Sequence, residues 1–155
     1  MRLVHFAVLA VILSASTALA DRHEGYYYPL VTSRETYVAR AATMPDSDRA
    51  RRLAFVIGMT QEQLAQPYPP QWAIFAKGTD AEKLIIVSLS RDYLVTLYQA
   101  RGMLAQLTAM ARTTPFFIDS GLEDRYTFLD LLKMIGFRQL TISDGQTYAH
   151  QITIQ

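Results

Sequence analysis

The chain's natural acid–base groups are its three histidines, and their positions restrict the chemistry they can do. His5 falls within a leader-like N-terminus. His150 belongs to an alternating pattern with Tyr148, Ile152 and Ile154, so it points to a buried strand face. There it is either the base of a Ser-His-Asp hydrolase or a hydrogen-bonded core histidine. No Gly-x-Ser-x-Gly elbow accompanies it. His23 gains meaning only if the chain is cut after Ala20. The new terminus Asp21-Arg22-His23 then offers an amine, two backbone amides and an imidazole. That square of nitrogens suits Cu(II) or Ni(II).

Carboxylates gather at Asp119, Glu123 and Asp124, and at Asp46 and Asp48. The first group reads as the acidic start of a helix, complementing its dipole, or as a metal or acid–base cluster. The second interleaves with Arg49, Arg51 and Arg52, as on a solvated surface, with anion binding as the alternative. Arg101 lies in the middle of an apolar helical stripe. It either extends to the surface or is a buried charge paired with an acid such as Asp130, able to hold a carboxylate or phosphate. Tyr26, Tyr27 and Tyr28, then Tyr68 and Trp72 around Pro69-Pro70, could stack on a ligand. Alternatively, the tyrosines fasten an extended arm to the domain and Trp72 is core. No glycine-rich phosphate loop is present.

The elements that must position these residues follow from pattern. Residues 1–20 have the three parts of a secretory signal: Arg2, the apolar run Phe6 to Leu13, and Ala18-Leu19-Ala20. They predict export to the periplasm or medium, with membrane contact only in transit. Residues 21–31 read as an extended arm and residues 32–155 as one domain. The chain has 15 basic and 14 acidic residues, and Arg2 leaves with the signal. The balanced remainder argues against a general grip on nucleic acid. With no cysteine, stability must come from the core alone.

Thr32 and Glu35 have capping-box spacing, predicting a short helix to about Ala42. Arg52 to Met59 predicts a strand, and Thr60 with Gln63 a brief helix ended by Pro67. Gln71 to Lys77 and Lys83 to Leu89 predict a strand pair across Gly78-Thr79-Asp80, the second strand central and covered on both faces. Asp92 to Arg112 and Leu122 to Ile135 predict helices, the latter closed by Gly136. Arg138 to Ile142 and Thr147 to Ile154 predict a final hairpin about Asp144-Gly145. The expectation is a single α+β domain with a mostly antiparallel or mixed sheet of about five strands and helices on one face.

Several blocks carry a resemblance: Tyr26-Tyr27-Tyr28-Pro29, Pro69-Pro70 with Ile74 to Gly78, Ala81 to Ile86, Ala111 to Pro115, and Leu140 to Gly145. Together they resemble a family of small exported bacterial proteins across nearly the whole mature chain. Some members are labelled molybdopterin-guanine dinucleotide biosynthesis protein A. The label implies a nucleotidyltransferase, whose glycine-rich N-terminal loop this chain lacks. The resemblance brings no catalytic residues to any position. The leading expectation is therefore a binding or interaction protein whose partner is a small molecule or an envelope protein. Tyr26 to Tyr28, Tyr68, Trp72 and Arg101 are its candidate contacts. An enzyme (that transferase, or a hydrolase using His150) and metal capture at Asp21, Arg22 and His23 are the alternatives.

Overall fold

Alternating inward and outward side chains at Ser33, Glu35 and Tyr37 mark the first element of the computed structural model, which describes residues 29–155. This is strand β1, Ser33–Tyr37. Helix α1, Arg49–Leu64, follows, then β2, Trp72–Lys77, and β3, Lys83–Ser88. Helices α2, Leu97–Arg112, α3, Pro115–Asp119, and α4, Phe128–Ile135, lead to β4, Gln139–Ser143, and β5, Ala149–Ile154. The strands form one mixed sheet in the order β1-β5-β4-β3-β2. Pairs β1–β5 and β3–β4 are parallel, while β4–β5 and β2–β3 are antiparallel. The molecule is one small α+β domain. Among the described residues no helix is long and apolar enough to cross a membrane.

The core lies between one sheet face and the helices. Ile74, Leu84, Ile86, Leu140, Ile142 and Ile152 alternate along four strands and pack with Met103, Leu107, Phe128, Leu132 and Ile135. Phe55, Val56 and Met59 close this core from α1, with Phe55 set against the rings of Phe128 and Phe137. The alternate residues Ile85, Val87, Thr141, Ser143 and Ala149 are also buried, so β3 is covered on both faces as its composition predicts.

Two elements exchange type relative to the sequence reading. The expected helix at Thr32 is strand β1, because its backbone pairs with β5 from Ser33↔His150 to Tyr37↔Ile154. The expected strand at Arg52 to Met59 lies inside α1, where Arg52, Phe55, Val56 and Met59 share one helical face. Asp48 caps that helix by accepting from Arg51 N at 2.8 Å. Thr60 caps nothing; its hydroxyl donates back to Val56 O. Helices α2 and α4 begin later than expected, at the capping boxes of Thr96 with Gln99 and Thr127 with Asp130. Gly136 ends α4 at φ 94°, as foreseen. The β4–β5 connection is a longer loop than the expected Asp-Gly turn. The Asp144 carboxylate organises it by accepting from the backbone of Gln146, Thr147 and Tyr148.

Candidate functional site

The parallel pair β3 and β4 is central, and both strands finish at the same edge of the molecule. Beyond their carboxyl ends lies a cleft of about 430 Å³. One wall is the segment after β3, with Ser88, Ser90, Arg91, Asp92 and Val95; the other is the loop after β4, with Asp144, Gln146 and Thr147. Crevices at such strand ends are the usual ligand sites of sheets with parallel strands.

Both walls are held in place by side chains acting on backbone. Ser88 Oγ donates to Ser90 O at 2.6 Å and accepts from Ser90 N. Gln99, at the start of α2, reaches back: its Nε2 donates to Asp92 O at 3.0 Å and its Oε1 accepts from Val95 N at 3.0 Å. Asp92 and Leu94 adopt φ values of 58° and 64°, a region that costs a residue with a Cβ about 1–2 kcal/mol. Leu94 is fully buried, so packing holds the strained loop in shape. Across the cleft, burial would raise the pKa of Asp144, but the N–H and hydroxyl groups donated by Gln146, Tyr148 and Thr147 outweigh it. They keep the carboxyl below its ordinary range. Ser88 and Asp144 are thus committed to the walls. Arg91 and Asp92 are exposed and carry charges of opposite sign to the opening.

A second arrangement joins two residues that sequence considered separately. His150 is buried on the core face, with Nδ1 2.7 Å from Ser33 Oγ on β1. Its Nε2 lies 3.3 Å from Glu35 Oε1, outside hydrogen-bond alignment. The other Glu35 oxygen is 3.3 Å from Arg101 Nη2. Arg101 is therefore exposed and paired with Glu35; Asp130 is not its partner. This row has the residue types of a hydrolytic triad, yet none of its members lines the strand-end cleft. The row binds edge strand β1 to β5 and α2.

Comparison with known proteins found no matching family model, no matching curated protein and no matching solved structure.

The remaining candidates separate. Tyr68 is exposed in the connection before Pro69-Pro70. Trp72 is half-buried against the core and is the cross-strand partner of Ser88, which puts it beside the cleft without lining it. Tyr26, Tyr27 and Tyr28, the expected metal-binding residues Asp21, Arg22 and His23, and the expected signal segment at residues 1–20 lie outside the described residues. Among the described residues no three His, Asp or Glu side chains are grouped to hold a metal. Asp119, Glu123 and Asp124 do not flank a helix start: Asp119 ends α3, and α4 opens only at Phe128. Asp46 pairs with Arg51 at the surface, but Arg52 departs from that solvated row and is buried. It borders a second cavity of about 260 Å³ at the C-terminus of α4. The sequence reading missed the strand-end cleft. Its signal was the polar stretch Ser90-Arg91-Asp92 after an apolar strand, which was divided between the strand end at Leu89 and the helix start at Asp92.

Proposed function

We propose that this protein binds a small polar ligand in the cleft at the carboxyl ends of β3 and β4. The observation that carries this reading is the strained loop of Asp92 and Leu94, held open by Gln99 and facing an equally braced Asp144 loop. A preformed concavity loses little ordering entropy on binding. Exposed charges of both signs at Arg91 and Asp92 suit a ligand with donor, acceptor and ionic groups, such as a zwitterion or a hydroxylated acid. The leader sequence and the resemblance to exported bacterial proteins support a periplasmic or secreted setting, where such a protein would sequester or deliver its ligand.

Trp72, the chain's one tryptophan, supplies the readout. A library of amino acids, sugars and small organic acids would be screened by its fluorescence and by thermal shift. Backbone amide NMR would then map each binder. Binders should perturb residues 88–95 and 144–147 and lose affinity in Arg91→Ala or Asp92→Ala. Binders that perturb only other regions, or that ignore both substitutions, would refute the assignment.

A further inference from the structure

The second cavity carries an inference independent of the strand-end cleft. Arg52 projects from α1 and is 7% exposed. Its Nε donates to Asp80 O at 2.8 Å, and its Nη1 lies 3.4 Å from the carbonyls of Ser47, Ile135 and Gly136. All four acceptors are main-chain oxygens. They orient the guanidinium and satisfy the end of α4, but they do not neutralise a full charge. Among the described residues no carboxylate forms an ion pair with Arg52, and Nη2 has no hydrogen-bond partner. A buried cation without a counterion is costly, and burial this deep normally comes with an anion.

The surroundings reinforce that requirement. Lys133, in the last turn of α4, and Arg138, just before β4, line the same cavity and make no ion pair among the described residues. The hydroxyl-bearing residues Thr43 and Ser47 complete that wall. Two acids also border it. Glu82 lies over Gly78, its Oε2 accepting from Asp80 N at 3.1 Å. Asp80 supplies its carbonyl to Arg52, and its carboxylate belongs to an exposed residue. Three cations against two acids leave the wall positive. Gly136 keeps the guanidinium seated, because a Cβ there would lie 2.5 Å from Arg52 Nη1.

We propose that this cavity is an oxyanion site, holding phosphate, sulfate or the phosphate group of a small ester on Arg52 Nη2. Lys133 and Arg138 supply the flanking charge, and a guanidinium edge with two flexible cations matches a tetrahedral anion. At about 260 Å³ the cavity has room for more than a bare ion.

The test titrates inorganic phosphate, sulfate and a sugar phosphate into the full mature chain at constant ionic strength set with chloride. Thermal shift and amide NMR are the readouts. Phosphate or sulfate should raise the melting temperature and shift the amides of Arg52, Gly136 and Arg138, while chloride alone does neither. The Lys133→Gln/Arg138→Gln double variant should weaken that response at least tenfold, and Arg91→Ala at the other cleft should leave it intact. Tighter binding of the sugar phosphate than of inorganic phosphate identifies an ester as the occupant; equal binding identifies the free ion. If the double variant loses its helical circular dichroism, Arg138→Gln alone carries the test, since that side chain is exposed. No response to any of the three anions, or a response unchanged in the folded variant, would overturn the proposal.

Discussion

Asp130→Asn removes one charge from a fully buried position and should be among the most destabilising conservative changes in the chain. Asp130 stands at the third position of α4 and is completely inaccessible. Its Oδ1 accepts from Arg40 N at 2.8 Å. Its Oδ2 accepts from Thr127 N, Thr127 Oγ1, Tyr37 Oη and Arg40 Nη2 at 2.8 to 3.2 Å. One carboxylate therefore caps α4 and fastens the end of β1 to it. Asparagine can keep the bond from Arg40 N, but its amide nitrogen then faces two obligate donors, the Thr127 N–H and the Arg40 guanidinium. Stranding the Thr127 amide costs about 1–3 kcal/mol, whereas the Tyr37 and Thr127 hydroxyls, 2.9 Å apart, can turn to bond each other. The Arg40 guanidinium is mostly exposed and returns to water at a cost of about 0–1 kcal/mol. The expected loss is about 2–4 kcal/mol, a large part of a typical domain's stability. Urea denaturation at neutral pH, followed by Trp72 fluorescence and circular dichroism, measures it. The midpoint should fall with an unchanged m-value. Tyr37→Phe and Arg40→Ala should each lose only about 1 kcal/mol or less. A loss below about 1 kcal/mol for Asp130→Asn would refute the reasoning, since the five bonds would then be no better than those made with water.

The same carboxylate sets the acid limb of stability. Burial pushes the pKa of Asp130 up, but the bonds from Thr127, Arg40 and Tyr37 hold it below the ordinary range, as those of the 144–148 loop do for Asp144. The unfolded chain therefore takes up these protons first. The contribution is complete above about pH 5 and is lost as pH falls through about 4 toward the folded values. Urea midpoints measured from pH 3 to 7 should drop steeply at the acid end, and less steeply in Asp130→Asn. Asp92→Gly relieves a positive φ and should raise stability by about 1 kcal/mol in thermal unfolding while weakening any ligand of the cleft. Gly136→Ala meets both φ 94° and the Arg52 guanidinium and should lower the melting temperature by the equivalent of at least about 1–2 kcal/mol. Ser33→Val leaves buried His150 Nδ1 without its partner and should cost about 1–3 kcal/mol; hydrogen exchange at β1 should rise before exchange at β4.

What sequence alone determined is found where local and tertiary demands agree. The β-branched stretch Leu84 to Val87 was legible as a central strand because only a doubly covered strand needs apolar residues at every position. The strand pairs β2–β3 and β4–β5 were legible from apolar runs flanking turn residues, though the β4–β5 loop is longer than an Asp-Gly turn, and the end of α4 from Gly136 at a left-handed φ. His150 was legible as buried from alternation with Ile152 and Ile154.

Only the tertiary structure decided the rest. Thr32 and Glu35 have the spacing of a helix cap, and nothing nearby reveals that β5, more than a hundred residues later, offers an unpaired edge to that segment. The Arg52 to Met59 stretch fits both periods, since its apolar residues also fall three and four apart. Helix α1 prevails because that face covers Phe128 at the start of α4 and Phe137 just after it. Tertiary packing also buries Arg52 against the end of α4 and, separately, sets Glu35 between His150 and Arg101. The cleft likewise exists only once β3 and β4, separated by three helices, lie side by side and end together. Periodicity reports which face of a segment is apolar. Which distant segment covers that face, and which charges are thereby brought together, depends on contacts that local pattern does not encode.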